Sequence, residues 1–315
     1  MAKFDAIFVG LTILDVAGRP VDAIPAGGGV TFIDEIRLNP AGTAAGALMN
    51  AAKLGLHTAT SACLGHDEKA DFIVATYARL GIDLGLIQRT DKAATSATIL
   101  TIRPNGERPA LHCRGASDHL FVEDKDFDAV TDARFLHLGG TGLLAAMDGG
   151  QSARLLAHAQ ARGLTTTFDL IAPNPGTLAL LDDLLPHIDY FMPSIEEAAY
   201  LSGESDPEAA ARFFIARGTR AAIFKLGSEG SYTLTADGRS FRTPAFKVAV
   251  SDTTGCGDAY CGGFIAGLAK GLGLDEACRL ASATAALVAT GLGSDAGVID
   301  YDQVRHFIAT TETRP

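Results

Sequence analysis

The sequence predicts an α/β protein, a three-layer, doubly wound, mainly parallel sheet with a small β-sheet inserted into it. Three observations point there. Apolar, strand-like runs alternate with helix-patterned segments along most of the 315 residues, as expected for parallel strands joined by crossover helices. Apolar residues make up 47% of the chain and charged residues 20%, which fits a compact core and excludes a disordered chain. Two stretches break the alternation and read as extra strands. No internal repeat, linker or charge block marks a second unit, so residues 1–315 are expected to form one domain.

In chain order, the run 6–9 opens the sheet, followed by a helix at about 46–54, a strand at 58–63 and a helix at about 67–80. The rhythm resumes with strand 135–138, helix 148–162, strand 165–169, helix 177–185, strand 190–192, helix 195–202 and strand 221–225. Between these units, 29–38 and 96–114 lack helical period, and 98–112 reads as strand, Gly-bearing turn, strand. The segments at about 12–40 and 95–115 are therefore expected to form the inserted sheet. It either covers the crevice at the carboxyl ends of the core strands, where open α/β sheets bind ligands, or decorates an edge. The last ten residues read as a fraying tail.

Composition narrows the function classes. A formal net charge of −11 offers no basic patch for phosphate backbones, so neither nucleic acid nor an anionic membrane is an expected partner. Residues 1–9 lack the apolar stretch and cleavage site of a secretory signal, and no run nears the roughly 20 apolar residues that cross a bilayer. A cytoplasmic location is expected. Cysteines 63, 113, 256, 261 and 278 are odd in number with no C-x-x-C pair, which points to reduced thiols rather than disulfides or zinc. The histidines show no paired ligand spacing.

The chemistry concentrates at Ser251-Asp-Thr-Thr-Gly-Cys-Gly-Asp258, between a strand-like run at 247–250 and a helix rich in Ala and Gly at 259–272. Free backbone N–H groups and the positive end of the dipole converge at a helix entrance, and a turn without side-chain bulk lets an anion approach them. A carboxylate in that turn repels phosphate but serves well as a base for an attacking hydroxyl. The alternative is an acid that merely complements the dipole. Tyr260 stands where a dinucleotide fingerprint needs its third glycine, and no G-x-x-x-x-G-K-[ST] occurs, so neither of those phosphate loops is present.

Asp252-Thr-Thr-Gly-Cys-Gly-Asp258 with its small-residue helix resembles the C-terminal signature of the ribokinase or PfkB carbohydrate kinases. Pro40-Ala-Gly-Thr-Ala-Ala-Gly46, Cys63-Leu-Gly-His-Asp67 and Gly10-Leu-Thr-Ile-Leu-Asp15 are similar to further family motifs. The resemblance implies a ribokinase-like fold and phosphoryl transfer from ATP, with Mg2+ bridging its phosphates, to a hydroxymethyl group of a sugar. It implies Asp258 as base, with Gly255, Cys256 and Gly257 completing an anion hole of backbone amides. Asp15, Gly42, Thr43, Gly46 and His112 would line the acceptor site. Lys225, Gly227, Ser228, Gly230, Thr254, Ala286 and Gly293 would surround the nucleotide. Glu197, in Ser194-Ile-Glu-Glu197, would organise waters around Mg2+, and Asp252 with carbonyls near Ala289 and Ser294 would hold a monovalent cation such as K+. Unaided, Asp15 reads equally as a turn residue and Glu197 as a first-turn helix acid.

Gly46 replaces an asparagine that hydrogen-bonds the sugar in many relatives, Ala41 replaces the first glycine of a pair, and Ser194 replaces an asparagine. Cys256 stands where alanine is common, and its helix N-terminal position predicts a lowered pKa and sensitivity to oxidation. The acceptor is a sugar or, because nucleoside kinases share the fold, a nucleoside, for which Phe32, Leu111 and His112 are the candidate lid contacts. A non-catalytic sugar or nucleotide sensor is the reading from another class, and retention of Asp258 argues against it. An exposed edge or face of the small sheet needs covering, and a homodimer through it is one solution.

Overall fold

The computed structural model describes residues 2–105 and 107–314. Among the described residues, fourteen strands carry the fold: β1 (Phe4–Gly10), β2 (Ile13–Arg19), β3 (Glu35–Ala41), β4 (Thr58–Ser61), β5 (Cys63–Leu64), β6 (Gln88–Arg89), β7 (Ala97–Thr101), β8 (Ala110–Cys113), β9 (Ala133–Thr141), β10 (Thr165–Leu170), β11 (Tyr190–Phe191), β12 (Ala221–Lys225), β13 (Ser231–Thr235) and β14 (Ser240–Thr243). Eight form one sheet in the order β14-β13-β12-β11-β10-β9-β1-β4. Neighbours from β4 to β12 pair in parallel, and β13 and β14 close one edge as an antiparallel hairpin.

The central strands are apolar on both faces because helices cover both. Ile7 and Val9 of β1 join Leu136, Leu138 and Phe168 in one core, under the helices Gln151–Ala161 and Pro207–Ile215. Ala6 and Phe8 point the other way and meet the helices Thr43–Lys53, Cys256–Ala269 and Leu274–Val288. Small residues set the spacing of that second layer. A Cβ on Gly262 would lie 2.4 Å from the Ala47 carbonyl oxygen, and one on Gly267 would lie 2.9 Å from Ala277 Cα. The Gly- and Ala-rich helix thus packs backbone against backbone, which brings its first turn beside the first turn of Thr43–Lys53.

Four strands build a second sheet in the order β3-β2-β7-β8, drawn from the two predicted segments. Side chains opposite one another share a face. One row across it is Asn39–Asp15–Thr98–His112 and the next is Leu38–Val16–Ile99–Leu111. The first row is polar, with Asn39, Asp15 and Thr98 buried, whereas Leu38, Ile99 and Leu111 are exposed on the outer face.

The structure corrects several expectations. The stretch 29–38 becomes strand only from Glu35, and Gly106 of the predicted turn lies outside the described residues. The run 247–250 forms no strand: Pro244 ends the hairpin, and the chain instead pairs with the C-terminal segment through a Phe246–Thr313 bridge and a Lys247 N–H bond to Glu312 O at 2.9 Å. The expected fraying tail is therefore pinned, with the helix Tyr301–Thr310 before it and Arg314 N–H donating to Ala245 O at 2.7 Å. The chemistry-bearing helix begins at Cys256 rather than 259, which sets Asp258 inside its first turn. All five cysteines are free thiols. Among the described residues, no helix is long and apolar enough to cross a membrane, and no cluster of three metal-ligating side chains occurs.

Candidate active site

The turn before the helix Cys256–Ala269 owes its shape to Gly255. Its φ is 74°, in the left-handed region, and a Cβ there would lie 2.2 Å from Ser294 Cβ, so no side chain is tolerated. Asp252, only 3% exposed, fixes the turn from the other side: its Oδ1 accepts from Thr254 N–H at 3.0 Å and from Thr254 Oγ1 at 2.7 Å. Cys256 N–H bonds back to Thr253 O at 3.3 Å, and no side chain caps the first helical turn.

Asp258 is half-buried there, against Gly46 of the neighbouring helix, where a Cβ would stand 2.6 Å from Asp258 Cβ. Burial, with Asp169 adding to it and Lys225 opposing both, pushes its carboxyl up to about 7. That is the range in which a carboxylate works as a base near neutral pH. Asp169, next to last in β10, is 1% exposed, and its Oδ2 accepts from Lys225 Nζ at 2.6 Å and from Cys261 Sγ at 3.4 Å. Burial disfavours the Lys225 ammonium, but Asp169 outweighs burial and holds it charged.

Across the crevice stands the polar row of the second sheet. Asp15 is pushed up to about 7 by burial, against a hydrogen bond from Thr98, and its Oδ1 is buried without a partner. His112 Nδ1 lies 3.0 Å from Thr98 Oγ1. Asn39 Nδ2 donates to Ser294 Oγ at 2.7 Å and to Pro40 O. From the hairpin between β7 and β8, Arg108 Nη1 donates to Thr254 Oγ1 at 3.2 Å, joining that sheet to the glycine turn.

Beside the turn opens a cavity of about 230 Å³ lined by Lys225, Gly227, Ser228, Gly230, Cys256, Gly257, Tyr260, Ala285 and Ala286, with Phe246, Val248 and Val250 on its apolar side. It suits a planar aromatic group with an anionic end directed at the glycine turn. A larger recess of about 560 Å³ lies at the opposite end of the strands, around Asp189, Arg220 and Gln160. It has no anion-binding turn.

The pfkB family carbohydrate kinase model matches residues 3–300. This chain belongs to the PfkB carbohydrate kinase family. It is thus a sugar kinase of that family. A curated relative, the 2-dehydro-3-deoxygluconokinase of Bacillus subtilis strain 168, is 25% identical over 298 residues, 91% of each chain. Among solved structures, a candidate ribokinase II from E. coli in complex with ATP and Mg2+ has a TM-score of 0.82 and 23% identity, covering 97% of this chain and 99% of its own. The ribokinase of Arabidopsis thaliana complexed with ribose and ATP has a TM-score of 0.82 and 21% identity, covering 98% and 99%. These likenesses give the ribokinase fold.

Within this PfkB chain, Gly255, Cys256, Gly257 and Asp258 come together with Lys225, and Gly227, Ser228, Gly230 and Ala286 line the adjoining cavity. Thr254 is occupied by Asp252 and Arg108 rather than turned into that cavity. Gly293 packs elsewhere: a Cβ there would lie 3.1 Å from Asn39 Cγ, so it supports the second sheet instead of the cavity. Gly42 caps the helix Thr43–Lys53 with φ 101°, pressed on Leu11 O, and Thr43 Oγ1 is buried without a partner. Glu197 forms a capping box with Ser194, its Oε2 accepting from Ser194 N–H at 2.8 Å, and burial pushes its carboxyl up. Asp252 Oδ2 is buried without a partner.

Two expectations fail. Burial, with Asp252 adding to it, pushes the Cys256 thiol up to about 12, the opposite direction from the lowered pKa expected of it. Phe32 is 95% exposed and Leu111 lies on the outer face, so neither covers the crevice. Sequence reasoning missed Asp169, Arg108 and Asn39. Asp169 falls at the end of the predicted strand 165–169, the usual place for a site residue in such folds, while Arg108 carries no signal in the sequence.

Proposed function

We propose that this sugar kinase transfers the γ-phosphoryl group of ATP to a hydroxymethyl group of a sugar bound between the small sheet and the glycine turn. The observation that carries the reading is Asp258, a carboxylate raised toward neutrality in the first turn of an uncapped, glycine-led helix. Asp258 accepts the proton of the attacking hydroxyl, the new O–P bond forms as the bond to ADP breaks, and the amides of 255–258 meet charge on the transferred group. Asp15 Oδ1, with no partner of its own, accepts from an acceptor hydroxyl, and Asn39, Thr98 and His112 extend that polar wall. The second sheet then acts as a lid, and the cavity beside Lys225 takes the nucleotide.

The residues fit the implied ions. Mg2+ supplies neutralisation of the ATP phosphates, and Glu197, with one oxygen free of its capping box, would hold it through water. The orphaned Asp252 Oδ2, on a residue whose N–H meets the Ala289 carbonyl at 3.4 Å, is a suitable anchor for a monovalent cation.

Arg108 favours an acidic acceptor, of the gluconate type that the Bacillus subtilis relative's name carries. The absence of Phe32 and Leu111 from the crevice weighs against a nucleoside. Acceptor-dependent ADP release with MgATP should therefore appear for sugar acids ahead of neutral sugars and nucleosides. Arg108→Gln should raise KM for the acid about tenfold or more, the worth of a charge-assisted hydrogen bond, with little change for neutral sugars. Equal KM values in both proteins would remove Arg108 from acceptor recognition.

A further inference from the structure

Asp169 and Lys225 form a buried pair that the proposed proton transfer does not itself require. The acid is next to last in β10 and the base closes β12, two strands away, so both lie at the carboxyl edge of the sheet. Lys225 Nζ stops 3.1 Å from the point a Gly257 Cβ would occupy, and its stem lines the nucleotide cavity. A lysine held only for fold stability has no need to end against the amide turn. Asp169 has little freedom: Oδ1 accepts from Leu170 N–H at 2.9 Å, and Oδ2 accepts from both Lys225 and Cys261. One carboxylate oxygen thus sets the position of the ammonium.

We propose that Asp169 is a positioning residue that fixes the Lys225 ammonium beside the Gly257 amide, where Lys225 acts as a catalytic cation on the phosphoryl group in transit. The proposal rests on the phosphoryl-transfer reading above. As the acceptor oxygen bonds to phosphorus and the bond to the ADP oxygen breaks, the acceptor proton passes to Asp258. Lys225 gives up no proton and meets the charge spread over the transferring oxygens. Asp258 also feels the pair directly. The groups facing it are Asp169, Lys225, Glu197 and Asp15, with Cys256 and Cys261 on its own helix.

The experiment is a pH profile of kcat for native protein, Asp169→Asn, Lys225→Gln and the double variant, with MgATP and the best acceptor. Activity needs Asp258 unprotonated, so kcat falls as pH drops through its pKa. Asp169→Asn removes a negative neighbour and should move that acid limb to lower pH. Lys225→Gln removes a positive one and should move it to higher pH. Each single variant should lose about 10²-fold in maximal kcat, and the double variant should be little worse than Lys225→Gln alone, because the two residues act as a unit. Limbs that stay in place, or losses that multiply in the double variant, overturn the proposal. If Asp169→Asn does not fold, the upward limb of Lys225→Gln decides alone. Native protein without acceptor-dependent turnover would instead sink the kinase reading, a separate outcome.

Discussion

Asp258→Asn is expected to lower kcat by about 10² to 10⁴-fold, the range a positioned general base contributes, while ATP affinity stays within a few-fold of native. The native enzyme should show an acid limb near pH 7, because the base works only when unprotonated and its carboxyl is raised to about 7. The asparagine variant should lack that limb. Stability should move the other way. A carboxyl whose folded pKa is raised costs stability once ionised, so above pH 7 the neutral isostere should melt at the same temperature as the native protein or higher. A steady-state pH series with parallel thermal melts reads both effects. A variant that keeps native kcat above pH 8 would remove Asp258 from the chemistry.

Gly46→Ala is expected to be the most damaging single-methyl change in the site. The added Cβ would stand 2.6 Å from Asp258 Cβ and 2.7 Å from Oδ2, closer than any real contact, and both partners sit on helices locked together by Gly262 and its neighbours. Something must shift, and Asp258 is the nearest atom group. A displacement of about 1 Å in a reacting group costs on the order of 10²-fold in rate, and overpacking about 1–3 kcal/mol in stability. Kinetics and a denaturant titration of the variant separate the two losses. Native kcat/KM with an unchanged melt would show that the helices yield more easily than their packing suggests.

The fold was legible because parallel strands buried on both faces read as plain apolar runs, and β1, β9, β10 and β12 fall where such runs predict them. Element ends were less legible, for local reasons. The helix at Cys256 starts early because a left-handed Gly255, not a side-chain cap, sets its entrance. The run 247–250 has strand-like residues but no strand to pair with, and the C-terminal segment beside it supplies only a bridge. For the site, residues in one contiguous motif, Asp252 to Asp258, came together as the sequence implies. Residues whose place depends on long-range pairing did not announce themselves. Asn39 and Arg108 reach the crevice only through the register of the second sheet and its hairpin, and Asp169 gains its role from Lys225, 56 residues away. Cys256 shows the limit of a local rule, since its burial, invisible in the motif, pushes the thiol up.

The central claim, phosphoryl transfer from ATP to a sugar hydroxymethyl group, is tested most directly by 31P NMR of MgATP incubated with the native protein and each member of a sugar and sugar-acid panel. The account predicts a phosphomonoester signal split by two methylene protons, growing in step with ADP for at least one acceptor and absent with Asp258→Asn. ATP left intact with every acceptor, or inorganic phosphate as the sole new signal, would contradict it.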